Sequence, residues 1–237
     1  MLISEMSMPE FTEVVKRIPT AILPVGAVEQ HGPHLPLGLD AMHAMALAQK
    51  AASLRPCLVA PPVYYGMCRS TKHHPGTLGI GGDTLRALIS DIATSLAGHG
   101  LKNLCLLTGH AGSTHIAALV EAGERLLETT PLNLAVVCVL DLLEEVRPIL
   151  ACPRDSHAGE VETSLALFLW PQLVKGSAPE EYPDFPPFLL TRRKRRHWPG
   201  GVWGDPSQAS AEKGRRILEA EARALVRVLR ALEAEKT

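Results

Sequence analysis

The chain predicts an α/β fold, a three-layer α/β/α sandwich around a mainly parallel sheet. Two observations carry this. Four apolar runs of strand length recur at residues 21–25, 57–63, 103–107 and 134–140. Segments with helical period lie between them, at 41–54, 84–97 and 114–127. Strands that are apolar on both faces require a sheet covered twice, and alternating helices supply the covers. With 237 residues, 46% of them hydrophobic and 21% charged, the chain suits one domain over 1–237 with a sizeable core.

The elements follow in order. Residues 21–25 form the first strand and leave into a loop stiffened by Pro24, Pro33 and Pro36. The helix 41–54 and the strand 57–63 come next, then a polar loop over 65–77. The glycines over 76–82 lack the ordered spacing of a dinucleotide site and do not follow a strand directly, so they read as a turn. Asp83 reads as the N-cap of helix 84–97, with Gly98 and Gly100 at its end. The strand 103–107 turns through Gly109 and Gly112 into helix 114–127, and 134–140 supplies the last strand. A helix entered from His157 runs to Trp170. Residues 175–206 hold six prolines and the basic run 192–196, a long irregular segment of the kind that is usually functional or disordered. A final amphipathic helix spans about 208–235, with Ile217, Leu218, Leu225, Val226, Val228 and Leu229 as its apolar stripe.

Bulk properties exclude several function classes. A formal net charge of −1 gives no field for nucleic acid or an anionic membrane. No run of 18 apolar residues exists to span a bilayer, and the N-terminus lacks the pattern of a signal peptide. The five cysteines are odd in number and form no Cys-x-x-Cys, which points to free thiols and a reducing cytoplasm.

The chemistry gathers in four clusters just beyond strands or at helix starts. The first holds Glu29, His31 and His34, with Asp40 at the end of the same loop. Residues two apart on an extended chain face one side, so Glu29 and His31 can reach one metal ion. Asp40 can return to that ion or simply cap the following helix. The second cluster is Thr108-Gly109-His110-Ala111-Gly112, where flanking glycines let a histidine approach a ligand closely. The third holds His157, Glu160 and Glu162 at a helix entry. The fourth is the loop with Arg69, Ser70, Thr71, Lys72 and His74, which suits substrate contacts. A single histidine in any of these is ordinarily a satisfied core or surface side chain. Three such clusters at strand ends together point to a metal centre. His43, His99 and His197 read as unremarkable.

These residues resemble a known family. The run from Pro24 through Glu29-Gln30-His31-Gly32-Pro33-His34 to Asp40 resembles the signature of the creatininase family, the creatinine amidohydrolases and their relatives. Gly109-His110-Ala111-Gly112, His157-Ala158-Gly159-Glu160 and His74-Pro75-Gly76-Thr77 resemble three further family motifs, in family order. The resemblance implies a single metal-dependent amidohydrolase domain with two divalent ions. Glu29 and His110 would bind one ion, His31 and Glu160 the other, and Asp40 would bridge. Gly112 stands where creatinine hydrolase has a carboxylate ligand, and Glu160 is the expected replacement. His157 matches the acid–base histidine, while Glu162 either orients it or caps its helix, and His34 is expected behind the ligands rather than among them. Imidazole and carboxylate donors suit zinc, and manganese or iron also fit an oxygen-rich site.

The implied reaction is hydrolysis of a non-peptide C–N bond, an amide or cyclic amide. The alternatives are deformylation of a formamidopyrimidine nucleotide and a non-catalytic metal-binding scaffold. Arg69, Ser70 and His74 are the expected substrate contacts, and the departures at residues 69–72 and at Ser156 weigh against creatinine itself. Arg69 and Lys72 would suit an anionic substrate. The run 192–196 reads as a solvent-exposed or subunit-bridging loop, or as a phosphate-binding lid. The expected partners are a small-molecule amide and, by family resemblance, further copies of the chain in a homo-oligomer such as a hexamer. Neither nucleic acid nor membrane is expected.

Overall fold

A computed structural model describes residues 1–235. Strands β1 (Thr20–Val25), β2 (Leu58–Val59), β3 (Asn103–Thr108) and β4 (Asn133–Cys138) form one parallel sheet in the order β2-β1-β3-β4. Ile22 pairs with Val59 on one side and Cys105 on the other. Helices α1 (Met8–Arg17), α2 (Leu39–Leu54), α3 (Gly82–Gly98), α4 (Ser113–Thr129), α5 (Glu160–Leu169), α6 (Lys194–His197) and α7 (Ala211–Ala234) surround it.

Side chains alternate across the pleat and so divide the core in two. Ile22, Cys105, Leu107 and Val137 pack with α2, α5 and α7. Ala21, Leu23, Val25, Leu104 and Leu106 pack with α1, α3 and α4 on the opposite face. Three layers result, as the fully buried pattern of β1 and β3 requires.

The strand order explains where a site can form. From β1 the chain crosses α2 to β2 on one side, then returns across α3 to β3 on the other side of β1. Connections after β1 and β3 therefore diverge onto opposite faces of the sheet, opening a crevice at their carboxyl ends. Gly26 and Gly109 immediately follow these two strands. A Cβ on Gly26 would overlap the Ala41 backbone, and one on Gly109 would overlap the Asp40 carbonyl. Lacking side chains there, the sheet lets the first turn of α2 sit directly over the crevice.

Several sequence expectations change in detail. The run 57–63 pairs as only two residues of β2, with isolated bridges from Val59 to Leu2 and from Val63 to Val25. Beyond Cys138 the expected strand becomes a 3₁₀ turn, Val139–Leu142. Asp83 is not a cap: Gly81 holds that place, and Asp83 lies in the first turn of α3, paired with Arg86. The helix α1 was not expected, although Ser7 and Glu10 form a capping box, with the Ser7 amide donating to Glu10 Oε2 at 2.7 Å. All five cysteines are free and buried, and among the described residues no helix is long and apolar enough to cross a membrane.

Candidate metal centre

The crevice between β1 and β3 is filled by ionisable side chains. Glu29 and His31 come from the loop after β1, Asp40 from the first turn of α2, His110 from the turn after β3, and Glu162 from α5. All five are buried. Burying three carboxylates together is costly unless positive charge joins them.

Each histidine presents one nitrogen to the carboxylates and commits the other to the backbone. His110 Nε2 lies 3.1 Å from the Met67 carbonyl, leaving Nδ1 at 2.7 Å from Glu29 Oε1 and 3.2 Å from Asp40 Oδ2. His31 Nδ1 lies 3.0 Å from the Glu29 carbonyl, leaving Nε2 at 3.0 Å from Asp40 Oδ1 and 3.8 Å from Glu162 Oε2. A ring N–H donated to a carbonyl fixes tautomer and orientation, the usual arrangement around a metal-ligating histidine. Asp40 meets one histidine with each oxygen. Its Oδ2 is buried without a hydrogen-bond partner among the described residues.

Three overlapping donor sets emerge among the described residues. His31, Asp40 and Glu162 bring ligand atoms within 4.8 Å of one another, and so do Glu29, His110 and Cys68, and Glu29, His31 and His157. Asp40 Oδ2 beside His110 ties the second set to the first. The donors are carboxylate and imidazole, with the Cys68 thiol beside one set, and they suit a divalent ion. An orphaned acceptor on Asp40 and two pre-oriented imidazoles fit a bridged pair of such ions.

Protonation tells the same story. Burial opposes the charged form of His31, but Asp40 and Glu162 outweigh it and raise its pKa to about 10. Burial likewise opposes His110, and Glu29 with Asp40 carries it well above the ordinary value. Glu29 and Asp40 resist the upward pull of burial, held low by His110 and His31 respectively.

His157 stands at the cavity wall, stacked on His31 with ring centroids 4.3 Å apart. Its Nε2 lies 2.8 Å from the Gln30 carbonyl, so the remaining nitrogen, Nδ1, faces Glu29 Oε1 at 3.8 Å. Burial first, then the neighbouring His31 charge, pushes its pKa down to about 4. Backbone pairing with Trp203 and a left-handed Ala158 (φ 50°) set its position before α5. Asp155 secures that helix start, accepting from the amides of Glu160 at 2.6 Å and Val161 at 3.0 Å.

The expected ligand role of Glu160 is corrected by this geometry. Its carboxylate pairs with Lys213 on α7 and accepts from the amides of Ala151 and Cys152 at 3.1 and 2.8 Å. Two positions along a helix rotate a side chain by about 200°, so Glu160 and Glu162 face opposite sides. Glu162 is the one that faces His31 and Asp40, and Glu160 takes no part in the cluster. Glu162 also accepts from the Ala158 amide just before α5, so it steadies the helix entry beside His157, as expected, while facing the cluster.

The other expected contacts divide. Arg69 and Ser70 line a cavity of about 510 Å³ that opens onto Glu29, Asp40, His110, His157 and Glu162. His74 does not line it; its Nε2 lies 2.6 Å from the Trp198 carbonyl, and Trp198 forms part of the wall. His34 lies outside the donor cluster, its Nε2 2.9 Å from Thr163 Oγ1, where it ties the loop to α5. Thr71, from the polar loop the sequence marked for substrate contacts, bonds Glu29 Oε2, while Lys194, Trp198 and Trp203 are wall residues the sequence did not single out. Lys194 lay in plain view within the basic run.

A family model described as creatininase, creatinine amidohydrolase, matches residues 4–229. The chain belongs to the creatininase family. It is 32% identical to a creatinine amidohydrolase of Pseudomonas putida, over 84% of each chain. It is also 34% identical to a mycofactocin precursor peptide peptidase of Mycobacterium ulcerans (strain Agy99), over 84% of this chain and 80% of that one. A mutant creatininase of Zn-Zn type superposes with a TM-score of 0.84 at 28% identity, over 97% of each chain. A manganese creatininase gives 0.85 at 27% identity, again over 97% of each. Creatininase family members are metal-dependent amidohydrolases, which agrees with the donor sets found here.

Proposed function

We propose that this creatininase family member hydrolyses the C–N bond of a small amide at the cluster between β1 and β3. The carrying observation is Asp40, buried between two pre-oriented histidines with one oxygen toward each. Glu29 with His110 would hold one divalent ion, His31 with Glu162 the other, and Asp40 would bridge them. When bound, such a pair supplies Lewis acidity for the carbonyl and lowers the pKa of water. Zinc is the ion we assign, from the imidazole and carboxylate donors and from the Zn-Zn relative, with manganese next.

The chain's own residues supply the remaining chemistry. Gln30 holds His157 Nε2, which leaves Nδ1 as the free basic nitrogen beside Glu29. That nitrogen is placed to take a proton from the attacking water and give it to the departing nitrogen. Met67 and the Glu29 carbonyl keep His110 and His31 in the tautomers the ions require. Trp198 and Trp203 form apolar wall that limits water around the reacting carbon. Chelator treatment followed by desalting is expected to abolish amide hydrolysis, and zinc or manganese to restore it. Full activity in the stripped protein would sink this reading.

A further inference from the structure

Curated relatives of this chain carry names as different as creatinine amidohydrolase and precursor peptide peptidase, so the cavity itself must indicate the substrate class. Its floor is the carboxylate and histidine cluster. Its wall holds Arg69 and Lys194, drawn from segments 125 positions apart in the chain. Lys194 opens α6 and is half-buried, whereas Arg192, Arg193, Arg195 and Arg196 are exposed.

These cations are not neutralised by the protein. Among the described residues, no carboxylate lies within 4.0 Å of Arg69, Lys72 or Lys194. Burial, then repulsion from Arg69 and Lys72, pushes the Lys194 amine below its ordinary range. Ser113 and Thr114, the first residues of α4, line the same cavity, so a partially positive helix end adds to the field. Two unpaired cations on one cavity wall, Arg69 and Lys194, are stabilised by an anion placed between them.

We infer that the substrate amide carries a terminal anionic group, carboxylate or phosphate monoester, held by Arg69 and Lys194 while the amide reaches the floor. This rests on the hydrolase reading for the amide but not for the anion. A cavity of about 510 Å³ has room for both ends, within the ~300–1,000 Å³ usual for small-molecule sites. Arg69 offers a planar fork and Lys194 a point charge, a pairing that accepts either anion.

The test uses zinc-loaded protein and two pairs of amides differing only in charge. N-acetyl-β-alanine is set against N-acetyl-β-alaninamide, and N-acetyl-O-phosphoethanolamine against N-acetylethanolamine. Affinity is read from tryptophan fluorescence, and acetate release is followed in the same samples. The charged member of at least one pair is expected to bind about tenfold or more tighter than its neutral twin, and the stronger pair identifies the anion. In the Arg69→Gln/Lys194→Gln double variant, that preference is expected to fall roughly 10–100-fold, as loss of charge-assisted hydrogen bonds implies. It is also expected to shrink as salt is raised in the wild type. Equal affinity within both pairs, undetectable binding included, overturns the inference, as does an unchanged preference in a folded double variant. Tight anion-dependent binding with no acetate released from any probe would instead count against the hydrolase reading.

Discussion

His157 meets the cluster through a single nitrogen because Gln30 occupies the other, and the ring is fixed further by stacking on His31. A residue held this way can move a proton without being needed to retain the ions. His157→Ala is therefore expected to keep its metal content while turnover drops roughly 10²–10⁴-fold. Paired metal analysis and single-substrate kinetics check both halves, and normal turnover would remove the proton-transfer role. The neighbouring carboxylates show why position on a helix matters as much as residue type. Glu160 and Glu162 stand in one motif, but the helical turn sends one to Lys213 and the other to His31. A linear motif names both candidates; the choice depends on where α5 begins, which Asp155 fixes from outside the helix.

At the scale of elements, α2 and α7 are joined by His43 and Glu221, buried, with Nε2 and Oε2 2.9 Å apart. Burial opposes charging His43, but the Glu221 carboxylate outweighs it and raises its pKa. A raised histidine contributes stability that is full below the unfolded value of about 6.5 and is lost as pH climbs through the folded value. Glu221→Gln should thus cost on the order of 3 kcal/mol, with the gap in Tm from wild type widest near about pH 6 and closing at higher pH. A pH-independent gap would contradict this account. His43 looked ordinary in the sequence because its partner lies 178 positions away. Strands β1 and β3 and helices α2 to α4 were legible because their apolar residues follow the periods that burial imposes. The short β2 and the cap at Gly81 were not, since pairing length and helix entry depend on what neighbours allow.

At the scale of the whole molecule, the strand order does the assembling. Diverging connections after β1 and β3 bring the loop 26–40, the turn 108–113 and the start of α5 to one crevice. Sequence motifs located these three segments because each carries a histidine next to a glycine or one residue from it, the pattern of close approach to a ligand. They could not show that Arg69 and Lys194 share a cavity wall, as nothing local links the two. A net charge of −1 likewise hides a chain whose carboxylates gather at the cavity floor and whose cations gather at its edge. The claim on which all of this depends is that the floor holds two divalent ions with Glu162 among their ligands. The metal-to-protein ratio after zinc loading and desalting measures it most directly. The expected result is close to two zinc ions per wild-type chain and at most one for Glu162→Gln. A folded wild type that retains no zinc, or a Glu162→Gln variant that retains as much as wild type, would contradict it.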